Sequence, residues 1–258
     1  MTDIHQTAIV DENAKIGQNV SIGPYSAIGP EVELGDGIEL ISHVVISGRT
    51  TIGANTRVFP FASIGHQPQD QKYNGEASSL EIGCNNVIRE YVTMNPGTEG
   101  GGMVTRIGNN CLFMISAHVA HDCQLGDHIV MSNVATLAGH VTVEDCAIIG
   151  GLAAVHQFCR IGTMSIIGGC SKVVQDIPPY MMADGNPAAT RALNKEGLKR
   201  NDVSEETQTA LKQAHRILFR ENLTFTKGVE KARAEIPASD EIEHLLTFIE
   251  TSQRGIAR

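Results

Sequence analysis

Four of the ten histidines, His118, His121, His140 and His156, fall within 39 residues, and Asp122 directly follows the second. Imidazole exchanges protons near neutral pH, so several gathered beside a carboxylate point to general acid–base work. The same side chains also ligate transition metals. Which chemistry they can do depends on the elements that bring them together. His5, His43, His66, His128, His215 and His244 stand apart and read as solvated surface residues.

Those elements are announced by an internal repeat. An aliphatic residue recurs every sixth position at Val10, Ile16, Ile22, Ile28, Leu34, Leu40, Ile46, Ile52, Val58 and Ile64. The frame resumes at Ile82, Ile88 and Met94, and again from Ile107 through Phe113, Val119, Leu125 and onward to Val173. Four residues after each marker sits a small or β-branched residue, such as Val20, Ser26, Ala117 or Cys123, and glycine commonly follows the marker. A helix would repeat at 3.6 and a plain strand at 2, so a sustained six predicts short strands bent at regular corners, with glycine making the tight turn. The implied fold is an all-β solenoid, a parallel β-helix over residues 1–185, with loops thrown out at about 66–80 and 95–106. An interior filled by aliphatic markers accounts for 26 glycines, few aromatics and no tryptophan.

With three hexapeptides per coil, residues eighteen apart become vertical neighbours about 4.8 Å apart. His121 then stacks with Gly139 and Gln157, and Asp122 with His140 and Phe158, while His156 continues the adjacent ladder of Ala120 and Ala138. All read as outward positions on one strip. The strip suits a histidine general base that deprotonates a hydroxyl or amine for attack on an activated acyl group, with the Gly139 N–H as oxyanion donor. Metal binding is disfavoured, because His118-x2-His121 differs from the His-x4-His plus third histidine of the zinc hexapeptide carbonic anhydrases. A zinc hydro-lyase is therefore the weaker enzymatic reading, and a scaffold with an incidental strip the non-enzymatic one. Cys123 and Cys159 take the inward small-residue slot, where a thiol is inert. At the fourth hexapeptide position early coils carry Asn19, Glu31, Gly37, His43, Arg49 and Asn55, and later coils Val134, Leu152, Phe158 and Met164. Such an apolar stripe predicts a homo-oligomer packed through the later coils.

The solenoid half is acidic and an unlikely partner for nucleic acid. Residues 1–185 hold 8 Lys/Arg against 18 Asp/Glu, and residues 186–258 hold 12 against 11. No apolar run approaches a membrane span. The N-terminus lacks a secretory pattern and the six cysteines form no CxxC pair, which together predict a cytoplasmic protein whose cysteines act as small hydrophobes. After residue 174 helical signals take over. Ser204 precedes a face of Leu211, Ala214, Leu218 and Phe219, Pro237 breaks the next helix, and Ser239 caps a last one, so residues 186–258 read as an α-helical C-terminal domain.

The stretches QDQKYNGE (69–76), ISAHVAHDC (115–123), TLAGHVTVED (136–145), VHQFCRIG (155–162) and NKEGLKR (194–200) resemble the UDP-N-acetylglucosamine O-acyltransferase family along the whole chain. The resemblance implies a left-handed β-helix, a homotrimer with sites between subunits, and no cofactor. It implies transfer of an R-3-hydroxyacyl chain from acyl carrier protein to the sugar 3-hydroxyl, the first step of lipid A biosynthesis. By the same resemblance His121 is the general base and Asp122 its support. Asp70 and Lys72 would contact the sugar and phosphate region, and His118, His140 and His156 would bind around the sugar and acyl chain. Gln157, Asn194, Glu196 and Arg200 would contact the nucleotide, and Gly169 would measure acyl length. The basic run Arg191, Lys195, Lys199, Arg200, Lys212, Arg216 and Arg220 would meet the acidic carrier protein. Asn95-Pro96 and Asn201 depart from the basic residues common in the family, and some relatives accept a 3-amino sugar. The sibling N-acyltransferase has an added N-terminal domain, for which hexapeptides beginning near Val10 leave no room.

Overall fold

A computed structural model describes residues 1–258. Strands mostly two residues long stack into sheets of 11, 9 and 8 strands, parallel except at the last strand of the largest, that form the three faces of a prism. Within a face a strand pairs with the one eighteen residues on, as Ser21 does with Glu39 and His118 with Thr136. Across the interruptions the offset becomes 30, Arg57 to Val87, and 25, Val87 to Leu112, so the extra residues leave the coil as loops over 65–78 and 95–103. The markers fill a core of 43 residues whose one aromatic is Phe113.

The corners are built differently from the glycine turn expected. The chain turns at the residue three after the marker, which adopts left-handed backbone although it is rarely glycine: φ is 52° at His43, 60° at Asp122, 62° at His140 and 65° at Phe158. This conformation, unfavourable for most side chains, aims the corner N–H along the prism at the coil below. His43 N donates to Pro24 O at 2.9 Å and His140 N to His121 O at 3.0 Å. The glycine after the marker serves close approach instead. A Cβ on Gly53 would lie 2.6 Å from the carbonyl carbon of Gly83 in the next coil.

The apolar stripe also divides differently. Val134 and Leu152 share a corner with the exposed rings of Tyr25, Phe61 and Tyr91; Tyr25, His43, Phe61 and Tyr91 succeed one another at centroid spacings of 5.0–5.1 Å. Phe158 stands on a second corner, and Met164 packs against the tail. Hexapeptide position alone does not say which of the three corners a residue occupies. Two isolated histidines are likewise partnered, His244 with Glu144 at 2.9 Å and His215 in stacking with Phe219. Of the cysteines, Cys111, Cys123 and Cys159 are buried as small hydrophobes, whereas Cys170 is exposed.

The solenoid continues into a hairpin, Met181–Gly185 with Ala188–Leu193, which adds to the 11-stranded face. The 185/186 boundary expected from composition therefore falls at the tip of this hairpin, whose strands pair across it. Four helices follow: α1 (Lys195–Arg200), α2 (Glu205–Arg220), α3 (Phe225–Glu235) and α4 (Asp240–Glu250). Ser204 and Ser239 cap α2 and α4 by accepting from Thr207 N and Ile242 N. The apolar faces of these helices enclose a second core of 17 residues. No helix is long and apolar enough to cross a membrane.

Candidate active site

In a strand, neighbouring side chains point to opposite faces. The left-handed corner at Asp122 breaks that alternation, so His121 and Asp122 lie side by side and His121 Nδ1 sits 2.8 Å from Asp122 Oδ2. The second loop closes over this pair. Thr98 donates its N–H to Asp122 Oδ1 at 2.8 Å and its hydroxyl to Oδ2 at 2.6 Å. Asp122 is 4% exposed, where the repeat had predicted an outward side chain, because the loop returns across the coil. Gly101 makes this closure possible, since a Cβ there would fall 1.9 Å from the Asp122 carboxyl carbon.

A carboxylate surrounded by donors can only accept, so His121 carries its proton on Nδ1 and leaves Nε2 with a free lone pair. The imidazole rests against Gly139, where a Cβ would come within 2.6 Å of Nε2. The Gly139 N–H donates to no acceptor within the protein. A base and an unused amide donor thus flank one space, which is the requirement for acyl transfer to a deprotonated nucleophile.

That space is a cleft of about 500 Å³ lined by Gln69, Asp70, Lys72, Asn95, His118, Ala120, His121, Ala138, Gly139, His140, Gln157 and Phe158. The first loop supplies Asp70 and Lys72, and two coils supply the histidines. His140 stacks on Phe158 at 4.4 Å and meets His121 edge-on at 5.0 Å. Burial pushes the imidazoles of His118 and His140 toward the neutral form, and the ionised Asp122 opposes this at His140. His118 Nδ1 also bonds the Thr93 hydroxyl at 2.7 Å. His156 lies on the ladder above Ala138 and is exposed beside the cleft.

Gly169, Asn194, Glu196 and Arg200 do not line this cleft. Asn194 caps α1, accepting from Gly197 N at 3.0 Å and donating to Met164 O at 2.8 Å. Glu196 and Arg200 are exposed on α1, and Gly169 is exposed three coils above Ile115, beside the corner column. Ligand atoms of His121, Asp122 and His140 lie within 4.8 Å of one another, a separation compatible with a metal. Both Asp122 oxygens are already bonded by Thr98 and His121, while His140 Nδ1 stands 3.8 Å from Asp122 Oδ2, beyond hydrogen-bond distance. Sequence reasoning missed Thr93, Thr98 and Gly101. The register shift of 25 across the second loop would have placed Thr93 under His118, whereas nothing local marks Thr98. Burial pushes the thiols of Cys123 and Cys159 up to about 12 and about 11, as inward slots require.

The family model described as "Udp N-acetylglucosamine O-acyltransferase; Domain 2" matches residues 176–257. The acyl-[acyl-carrier-protein]–UDP-N-acetylglucosamine O-acyltransferase of Verminephrobacter eiseniae is 48% identical over 100% of both chains, and that of Thermodesulfovibrio yellowstonii 50% identical over 100% of both. Among solved structures, LpxA from Acinetobacter baumannii has a TM-score of 0.96 at 44% identity, covering 99% of each chain. LpxA from Bacteroides fragilis, a UDP-N-acetylglucosamine acyltransferase, gives 0.97 at 41%, covering 99% of this chain and 100% of its own. The fold is thus a left-handed parallel β-helix, and with this site it defines a hexapeptide-repeat acyltransferase. Full-length identity near one half narrows the assignment within that class. The chain belongs to the UDP-N-acetylglucosamine O-acyltransferase family.

Proposed function

We propose that this protein transfers an R-3-hydroxyacyl group from acyl carrier protein to the 3-hydroxyl of UDP-N-acetylglucosamine, opening lipid A biosynthesis in the cytoplasm. The observation that carries the mechanism is the orientation of His121, with Nδ1 held by Asp122 and Nε2 free beside the unpaired Gly139 N–H. His121 Nε2 takes the proton of the sugar hydroxyl as its oxygen attacks the thioester carbonyl. The Gly139 N–H donates to the resulting oxyanion. On collapse the C–S bond breaks, and the imidazolium returns its proton to the departing thiolate. Asp122 stabilises the imidazolium and keeps its tautomer.

In this reading Asp70 and Lys72 hold the sugar and phosphate region, with His118, His140, His156 and Gln157 around it. Asn194, Glu196 and Arg200 reach the nucleotide from a neighbouring subunit of a homotrimer, which fits their position outside the single-chain cleft. The exposed column of Tyr25, Phe61, Tyr91, Val134 and Leu152 supports self-association. The basic residues of α1 and α2 would receive the carrier protein. Incubation of the purified protein with UDP-N-acetylglucosamine and hydroxyacyl carrier proteins, read by mass spectrometry, tests the proposal. The acylated sugar nucleotide is expected, and its absence with every donor would overturn the reading.

A further inference from the structure

The C-terminal segment after α4 returns to the solenoid and brings a cation to the histidine strip. Its anchor is Asp176, a fully buried residue beside Arg160, whose N–H donates to Asp176 Oδ1 at 2.8 Å. Asp176 N donates to Gly255 O at 2.8 Å, Ala257 N donates to Asp176 O at 3.0 Å, and the Ser252 hydroxyl donates to Asp176 Oδ2 at 2.7 Å. Thr190 Oγ1 further donates to Ala257 O at 2.7 Å. Gly255, at φ 74°, makes the left-handed turn that directs the preceding side chain back over the last coil. That side chain is Arg254, which pairs with no carboxylate. Its Nη2 donates to Val174 O at 3.3 Å and lies 3.2 Å from His156 Nδ1.

His156 Nδ1 also lies 3.2 Å from Gln157 O, and the two neighbours make opposite demands. A carbonyl oxygen needs a proton on Nδ1, whereas a guanidinium, which only donates, needs Nδ1 bare. An N–H on Nδ1 would face the N–H of a permanent cation, so the guanidinium decides and the proton resides on Nε2. We propose that Arg254 is a positioning residue that locks His156 in its Nε2–H tautomer, presenting a hydrogen-bond donor to an acceptor oxygen of the bound sugar nucleotide. The inference rests on the acyl-transfer reading and deepens it, because the donor lies on the ladder next to His121 and Gly139.

The test compares the native protein with Arg254→Met, which keeps the apolar stem, and Arg254→Lys, which keeps a donor. Nitrogen-15 NMR of the His156 ring should find Nε2 protonated in the native protein and in Arg254→Lys, with the proton shifting toward Nδ1 in Arg254→Met. A native ring protonated on Nδ1, or a tautomer indifferent to Arg254→Met, overturns the proposal. Steady-state kinetics should show KM for UDP-N-acetylglucosamine raised about fivefold in Arg254→Met, the scale of one hydrogen bond, with kcat and the carrier-protein KM near native and partial rescue by Lys. An unchanged sugar-nucleotide KM would sink the substrate-facing role. Because the tautomer is read without turnover, failure of the acyl-transfer reading would be seen separately, as an inactive native protein whose His156 still answers to residue 254.

Discussion

A single left-handed residue gives the site its chemistry. With Asp122 in ordinary strand geometry, its carboxylate would face away from His121. The corner puts both on one side and converts a neighbour in sequence into a partner at 2.8 Å. Replacing His121 by Ala should lower acyl transfer at least about 100-fold, the usual scale for a general base, while circular dichroism and the unfolding midpoint stay near native. Gly139→Ala should also cut kcat by at least tenfold, since its methyl would overlap the His121 ring at about 2.5 Å. A native rate in that variant would mean that the His121 ring does not depend on its close seat against Gly139. The imidazoles of His118 and His140, held below their ordinary 6.5 by burial, carry a stability consequence. The unfolded chain takes up these protons first as pH falls, so their contribution is complete above about 6.5 and shrinks below it. Urea midpoints should therefore stay level above about pH 6.5 and drop as pH falls below it, and His140→Gln should lessen the drop.

At the scale of elements, the two loops and the corner columns do the positioning. The second loop reaches Asp122 only because Gly101 has no side chain, so Gly101→Ala should displace Thr98 from the carboxylate and reduce kcat severalfold or more without lowering the melting temperature of the solenoid. Higher on the prism, a Cβ at Gly169 would touch only Gly151 O at 3.2 Å, so a larger side chain fits with little movement. If this glycine keeps the acyl groove open, Gly169→Met should shift preference toward shorter donors in a competition among carrier-protein chain lengths. An unaltered profile would refute that role.

For the whole molecule, the single chain leaves its cleft open and its Tyr25-to-Leu152 column in water, with Leu152 60% exposed. Self-association through this column should give a particle of three chains by light scattering, and Leu152→Glu should break it into smaller species that lose activity. A native protein that elutes as a monomer with full turnover would exclude a shared site. The acidic solenoid and the basic run from Arg191 to Arg220 also predict an ionic-strength effect. Rising salt should weaken association with the acidic carrier protein more than association with the sugar nucleotide.

The repeat was legible because it is a local rule: every sixth residue must be aliphatic for a coil to close, and coil stacking then follows from an offset of eighteen. From that rule alone His121, Gly139, Asp122 and His140 could be set on one strip. The burial of Asp122, the paired donors of Thr98 and the return of Arg254 to His156 depended on loops and a tail whose paths no period describes. Such contacts join residues as far as 98 positions apart and are selected by packing and hydrogen-bond satisfaction in the finished fold, where no spacing in the chain encodes them.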